Sequence, residues 1–258
     1  YALVSTIHPK DTRNTPRPMG NYALALPING PGIRNEVYST DLNVCDYTYG
    51  DLPATQGEVH NIGELWTAML WDMTWDLIDQ YGFEPNFYAS TGGNNMAQQL
   101  VTDGFKLQVC SPGFVDGRNA ILQADKLNYN GANQCLIWKS FARRGLGYSA
   151  KQGSSDSFTD GVEAFDLPPL CLVATEAPKA AFTVDRTSGC LGLASFQFTD
   201  QSQNIAQYYL WNFGDGGTSD LPNPSHTYTA TGKYTVSLKV TNNIGADSIV
   251  QTDYITVT

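Results

Sequence analysis

From Glu58 to Gly82 the chain reads EVHNIGELWTAMLWDMTWDLIDQYG. Ile62, Leu65, Trp66, Met69, Leu70, Met73, Leu77 and Ile78 recur there at steps of three and four, the apolar stripe of a buried amphipathic helix. Asn61 is the expected N-cap, with Glu64 three residues on returning the bond in a variant capping box. Gly82 is the expected left-handed C-terminal cap. On this reading His60 stands one residue outside the helix, at its positive end. The dipole there disfavours imidazolium, so a neutral ring is expected, able to donate one hydrogen bond to a developing oxyanion.

The texture changes twice along the chain. Residues 1 to about 57 lack a sustained period and carry Pro16, Pro18, Pro27, Pro31 and Pro53, which reads as loop-rich connection with a short helix near Tyr22 to Leu26. Helices are then predicted near 61–81, 93–108, 115–127 and 131–145, with Gly92-Gly93, Ser111-Pro112-Gly113 and Gly145 falling between them as breakers should. Past Pro168-Pro169, Val173 to Lys179 reads as a linker. Strand signals follow at Ala181–Val184, Ser195–Thr199, Tyr208–Phe213, Lys233–Asn242 and Ile249–Val257. Tyr234, Val236, Leu238 and Val240 alternate with polar residues, a half-buried strand of period two. Short strands in this number predict a β-sandwich. The expected fold is therefore multidomain: a mainly α-helical part over 1–170, then an all-β sandwich over 178–258.

The acidic excess, 25 Asp and Glu against 15 Lys and Arg for a net charge of -10, argues against a nucleic-acid partner and against binding to anionic lipid. No apolar run reaches the roughly 20 residues of a membrane span. No initiator Met or signal sequence stands at Tyr1, so a processed piece of a longer chain is expected, with any export signal upstream. The five cysteines include no C-x-x-C, which argues against a zinc knuckle. Each cysteine is either disulfide-bonded or a buried apolar side chain. Cys110 and Cys135, at the edges of neighbouring helical segments, are the expected disulfide pair.

The helical part resembles the C-terminal half of fungalysin-family zinc metallopeptidases, relatives of thermolysin. The likeness runs through GPGIRNEVYSTD (Gly30 to Asp41), the stretch around His60, GGNNMAQQLVTDGFKLQ (Gly92 to Gln108), CSPGFVDGRNAILQAD (Cys110 to Asp125), GANQCLIWKSFARRGLG (Gly131 to Gly147) and GSSDSFTDGVEAFDLP, ending at Pro168. That resemblance implies a secreted, extracellular zinc metalloendopeptidase acting on protein or peptide substrates. It also implies that His60 faces the zinc across the cleft and stabilises the oxyanion of the tetrahedral intermediate. The family holds zinc with the two His of an H-E-x-x-H helix and a later Glu. The histidines here are His8, His60 and His226, without that spacing, so the ligands are expected upstream of Tyr1, no metal is expected in this chain, and the chain alone is expected to be inactive.

The segments Trp211-Asn212-Phe213-Gly214-Asp215-Gly216-Gly217, Pro224-Ser225-His226-Thr227-Tyr228 and Gly232-Lys233-Tyr234-Thr235-Val236 resemble a PKD domain, an immunoglobulin-like sandwich, with Asn212 where the pattern has Asp. Trp211 is its expected core residue, His226 a satisfied structural histidine, and Asp200 and Asp215 either turn formers or calcium ligands. In the helical part, Asp72, Asp76 and Asp79 read as a solvated face rather than a metal site. Asp116 reads as a cap with Arg118 pairing locally, rather than a substrate clamp. Arg143-Arg144 reads as the cationic end of the fourth helix. The rival to the peptidase reading is an extracellular binding or adhesion module that holds a polymer or a cell surface through the PKD domain. A plain spacer is a third reading.

Overall fold

The computed structural model describes residues 7, 10–27, 30–192 and 195–258. The chain forms two compact units, Tyr1–Pro168 and Pro169–Thr258. His8 lies outside the described residues.

Unit one is built around α1, Val59–Tyr81, followed by α2 (Gly93–Leu107), α3 (Phe114–Tyr129) and α4 (Gln134–Arg143). Single 3₁₀ turns at Asn21–Leu24 and Tyr49–Thr55 precede them; the second was not expected, although Thr48 and Asp51 cap it reciprocally. The helix α1 is buried on more sides than its stripe implied. Leu65, Met69, Leu70, Met73 and Leu77 pack against α2, α3 and α4 through Leu100, Val101, Ile121, Ile137 and Phe141. A second face, Ala68, Trp71, Trp75 and Ile78, meets Tyr38 and Cys45. At Gly93 an added Cβ would lie 2.1 Å from the Leu77 carbonyl oxygen, so only glycine lets α2 start against the α1 backbone.

The third face of α1 corrects one expectation and extends another. Asp72 is buried and Asp76 half-buried rather than solvated, while Asp79 is exposed as expected; Arg143 and Arg144 do end α4, but Arg144 is buried there. Asp72 and Arg144 are both fully buried. The Arg144 Nε and Nη2 donate to the two Asp72 oxygens at 2.9 and 3.1 Å. Its remaining hydrogens go to the carbonyls of Cys45 (2.8 Å), Tyr47 (2.9 Å) and Ser39 (2.8 Å). Arg143 adds a bond to Asp72 at 2.8 Å. Asp76 accepts from Ser140 Oγ at 2.6 Å and from Arg13 at 2.8 Å, and Asp79 pairs with Arg13. Burial pushes the Asp72 carboxyl up while the two guanidiniums pull it down; three N–H donors within 3.1 Å define an ionised carboxylate. A charge at such depth is tolerated only when fully paired. Arg118 bonds locally to Asn119 Oδ1 at 3.1 and 2.9 Å, but it also reaches the distant Leu146 carbonyl at 3.0 Å and that of Gly147, and lies 4.3 Å from the centre of the Trp138 ring.

The expected Cys110–Cys135 disulfide is absent. Cys110 is a free exposed thiol, Cys45 and Cys190 are also free, and Cys135 and Cys171 are the disulfide-bonded cysteines. The reason is geometric: Cys110 precedes α3 and Cys135 follows it, and a 16-residue helix holds its ends about 24 Å apart.

Unit two is a sandwich of a three-stranded sheet, β1 (Phe182–Val184), β3 (Phe196–Asp200) and β6 (Ser225–His226), on a five-stranded sheet in the order β2-β8-β7-β4-β5. The latter comprises β2 (Ser188–Gly189), β8 (Ala246–Val257), β7 (Gly232–Thr241), β4 (Tyr208–Asn212) and β5 (Thr218–Ser219). Phe182, Phe196 and Phe198 meet Trp211, Phe213, Val236, Leu238 and Ile255 between the layers, and Trp211 Nε1 donates to the Leu221 carbonyl at 2.8 Å. The expected linker lies along this sandwich: Gln207 holds the Leu172 carbonyl at 2.8 Å and Asn242 that of Glu176 at 2.8 Å.

Replacing Asp72 by Asn should destabilise unit one by about 3–5 kcal/mol, because a buried guanidinium loses its counter-charge. Urea denaturation followed by the helical far-UV signal checks this, and a loss under about 1 kcal/mol would make the pair dispensable.

Candidate functional site

The helix α1 begins two residues earlier than its spacing suggested, and this rearranges its N-terminus. Glu58, not Asn61, is the N-cap, and one of its carboxylate oxygens accepts from the Asn61 N–H at 2.9 Å. His60 therefore lies inside the first turn. The other Glu58 oxygen lies 2.6 Å from His60 Nδ1. A carboxylate only accepts, so Nδ1 carries the hydrogen and Nε2 is the ring's outward atom. With Nδ1 committed, a hydrogen bond donated from Nε2 requires the doubly protonated ring, whose charge Glu58 offsets. The helix dipole invoked from sequence acts here together with a carboxylate that the sequence reading did not place. His60 and Glu58 are exposed, 66% and 46% by side chain. The His60 bond, then the Asn61 N–H, holds the Glu58 carboxyl below the usual carboxylate range.

The segment 34–47 flanks this turn. Asn35 Nδ2 donates to Asn61 Oδ1 at 2.9 Å, and the Asn35 N–H donates to the Glu64 carboxylate at 3.1 Å. Glu64, expected to close a capping box, is instead buried at 3% exposure. It also accepts from the Tyr47 hydroxyl at 3.2 Å and lies 3.7 Å from Arg34 Nε. Burial, then the Glu64 charge, raises the Tyr47 phenol and pushes the Tyr38 phenol up to about 12. Tyr47 thus stays a donor to Glu64. Arg34 and His60 each adjoin one partner of the Asn35–Asn61 bond, so a guanidinium and an imidazole are brought to one end of α1. Glu58, Arg34, Asn35 and Tyr47 were not singled out from sequence. Only Glu58 carries a local signal, an acid two residues before the His at a helix start.

The other candidates are held by structure. Asp116 begins α3, where its carboxylate accepts from Gly113 N–H at 3.2 Å and from Gln152 Nε2 at 2.6 Å. His226 Nε2 lies 2.8 Å from Asp215 Oδ2, and the ring stacks on Phe213 at 4.1 Å. Asp215 and Asp200 accept from the N–H groups of Gly217 (2.9 Å) and Ser202 (3.0 Å), two residues on in each case, the bond of an Asx turn. Among the described residues no three His, Cys, Asp or Glu side chains are grouped to hold a metal ion. His60 and His226 each face a single carboxylate. These residues do not fit a three-ligand zinc site, and no step through zinc is derived from them.

Residues 1–150 match the family model of the fungalysin metallopeptidases (M36), and residues 175–257 match that of the PKD domain. The chain belongs to the fungalysin family and carries a PKD domain. Extracellular metalloproteinase 3 of Arthroderma gypseum is 41% identical over 178 residues, covering 66% of this chain and 27% of that protein. Extracellular metalloproteinase 3 of Trichophyton soudanense is 44% identical over 158 residues, 58% of this chain and 39% of that protein. The chain thus spans between a quarter and two fifths of these relatives. The PKD1 domain from Vibrio cholerae metalloprotease PrtV aligns at 35% identity with a TM-score of 0.28, covering 32% of this chain and 98% of that one.

The Glu58–His60 contact should persist as pH falls below the ordinary Glu value of 4.5. The sign follows from the depressed Glu58 value: the contact contributes fully above the ordinary value and is lost only as pH falls through the depressed one. The His60 ring protons, followed by NMR in acid, should shift at that lower pH, and in Glu58→Gln the acid step should vanish. An acid step surviving in Glu58→Gln would assign it to another group.

Proposed function

We propose that this chain is the C-terminal part of a secreted, extracellular zinc metalloendopeptidase, with His60 as the residue that stabilises the oxyanion formed during peptide-bond hydrolysis. The carrying observation is the Glu58–His60 pair at 2.6 Å, exposed at the start of α1. Zinc, held by residues outside this chain, would supply the electrophile and activate water. What this chain contributes is the opposite wall. Glu58 orients the ring through Nδ1, which leaves Nε2 to donate to the oxygen of the attacked carbonyl. The contribution is differential, because that oxygen bears partial charge in the ground state and nearly a full charge at the tetrahedral stage. Arg34, which pairs with Glu64 at 3.7 Å, adds a cation to the same helix. Protein substrates and an extracellular location are supported by the family and by the relatives' names.

In the whole protein, His60→Ala should lower kcat by about 10² to 10³ and raise KM less. Zinc content and unfolding midpoint should stay the same, since Glu58 rather than His60 caps α1. Steady-state kinetics with zinc analysis on one preparation reads all of these. Near-native turnover would make His60 structural.

We further propose that residues 1–170 and 178–258 fold independently. Val173 is 79% exposed and Thr175–Ala177 are exposed, so limited elastase digestion should cut there first and leave a stable PKD piece. A first cut inside α1 would overturn the division.

A further inference from the structure

The side chains of residues 172–177 look like those of a free linker: Val173 is 79% exposed, and Thr175, Glu176 and Ala177 are exposed. The backbone is not free. The Leu172 carbonyl accepts from Gln207 Nε2 at 2.8 Å, the Glu176 carbonyl from Asn242 Nδ2 at 2.8 Å and the Ala177 carbonyl from Asn204 Nδ2 at 3.1 Å. Ala174, between the first two points, is buried. Beyond the third, Lys179 and Gln203 exchange N–H and carbonyl groups at 3.0 and 3.1 Å, and the Ala180 N–H donates to Asp247 at 2.8 Å.

The amides that hold these carbonyls are themselves oriented. Asn242 is buried, and its Oδ1 accepts from the Ile244 and Gly245 N–H groups at 2.9 and 3.1 Å. That fixes which end of the amide is the donor. The donor end faces three carbonyls, those of Glu176 (2.8 Å), Asn204 (3.0 Å) and Ile205 (3.2 Å). Gln207 is fixed likewise, its Oε1 accepting from the Asn243 N–H at 3.1 Å. Asn204 and Ile205 both stand in the left-handed region, at φ 64° and 54°. That conformation suits asparagine but costs a β-branched residue, and the Asn242 bonds to both carbonyls offset the cost.

An endopeptidase holds its substrate as an extended strand through main-chain hydrogen bonds. A segment whose carbonyls are already committed must therefore undock before it is cut. We propose that residues 172–177 form a latched strap, in which Asn204, Gln207 and Asn242 shield the linker backbone from endopeptidases and so set the rate at which the PKD domain is released. The exposed side chains offer the strap to a protease, and the three amides decide how often its backbone is free. The elastase cut expected in this segment then proceeds through the undocked strap. The latch is a property of this chain; that the whole protein is itself a peptidase, and so a source of such attack, rests on the reading above.

The test digests this chain and a synthetic peptide of residues 172–179 side by side with elastase, and reads cleavage within 172–177 by mass spectrometry. The chain should be cut about tenfold more slowly than the peptide, or slower still. Asn242→Asp keeps the acceptor for Ile244 and Gly245 and removes the donor, and Gln207→Glu does the same at the other amide. Each should speed the cut about fivefold, the loss expected for one hydrogen bond, with the cuts still confined to the strap and the PKD piece intact. Asn243→Asp, which adds the same charge one residue away, should leave the rate unchanged. Asn204→Gly keeps the left-handed backbone and loses only the Ala177 bond; it should also speed the cut, and it decides the matter should Asn242→Asp fail to fold. A chain cut as fast as the peptide, amide variants cut no faster than the unaltered chain, or an equal gain in Asn243→Asp would overturn the latch. His60 is untouched by any of these results, because its role is read from turnover in the whole protein.

Discussion

Unit one is organised by the guanidinium of Arg144. A guanidinium has five N–H donors, and all five have acceptors here: two on Asp72 and three on the carbonyls of Ser39, Cys45 and Tyr47. The Asp72 carboxylate sits on the central helix and Arg144 at the end of α4, so one side chain ties both helices to the irregular segment 39–47. The Arg144 carbonyl then accepts from the Tyr49 N–H at 2.8 Å, which anchors the 3₁₀ turn Tyr49–Thr55 leading to Glu58. The geometry of the candidate site thus descends from an ion pair in the interior. Such a pair contributes little net stability against an apolar substitute of the same shape, but it fixes the path of a loop-rich segment that has few apolar contacts of its own.

Two carboxylates divide the work at the start of α1. Glu58 is exposed and joins helix capping to ring orientation, one oxygen for the Asn61 N–H and one for His60. Glu64 is buried one turn later and gathers Asn35, Tyr47 and Arg34. The first sets which imidazole nitrogen faces outward, and so which protonation state can donate. The second brings a cation from a distant part of the chain to the same helix end. A pair formed by the dipole and the ring alone would have favoured a neutral donor; with Glu58 present, the charged ring is the species able to donate from Nε2.

The PKD domain follows a different logic, with aromatic rings replacing ion pairs. Trp211 contacts Phe182 at 5.1 Å and Phe198 at 5.6 Å across the two layers. Phe213 is covered by His226, and the Tyr228 hydroxyl closes onto the Phe213 carbonyl at 3.0 Å. The segment 172–179 is docked on this sandwich through side-chain amides. Its proline and polar composition read as a free linker because local sequence does not report hydrogen bonds to Gln207 and Asn242, some 35 and 66 residues away in the chain.

What the sequence determined by itself was periodic or local. The 3.6-residue period and its breakers placed α1 through α4 to within a few residues, the two-residue period placed β7, aromatic and β-branched runs placed β4 and β8, and the spaced motifs identified both families. These signals survive without tertiary structure because backbone geometry imposes them on consecutive residues. The tertiary structure alone decided everything that depended on distant partners. Asp72 and Arg144 look like surface charges when taken one helix at a time, and become a buried pair only when α4 packs on α1. Glu64 looks like a cap until Asn35 and Tyr47 arrive. Cys110 and Cys135 look adjacent until the length of α3 separates them. The N-cap at Glu58 lay between these cases: its type was legible, but an acid, an amide or a serine can each begin a helix. Only the placement of the His60 ring showed that Glu58 does so while also holding Nδ1.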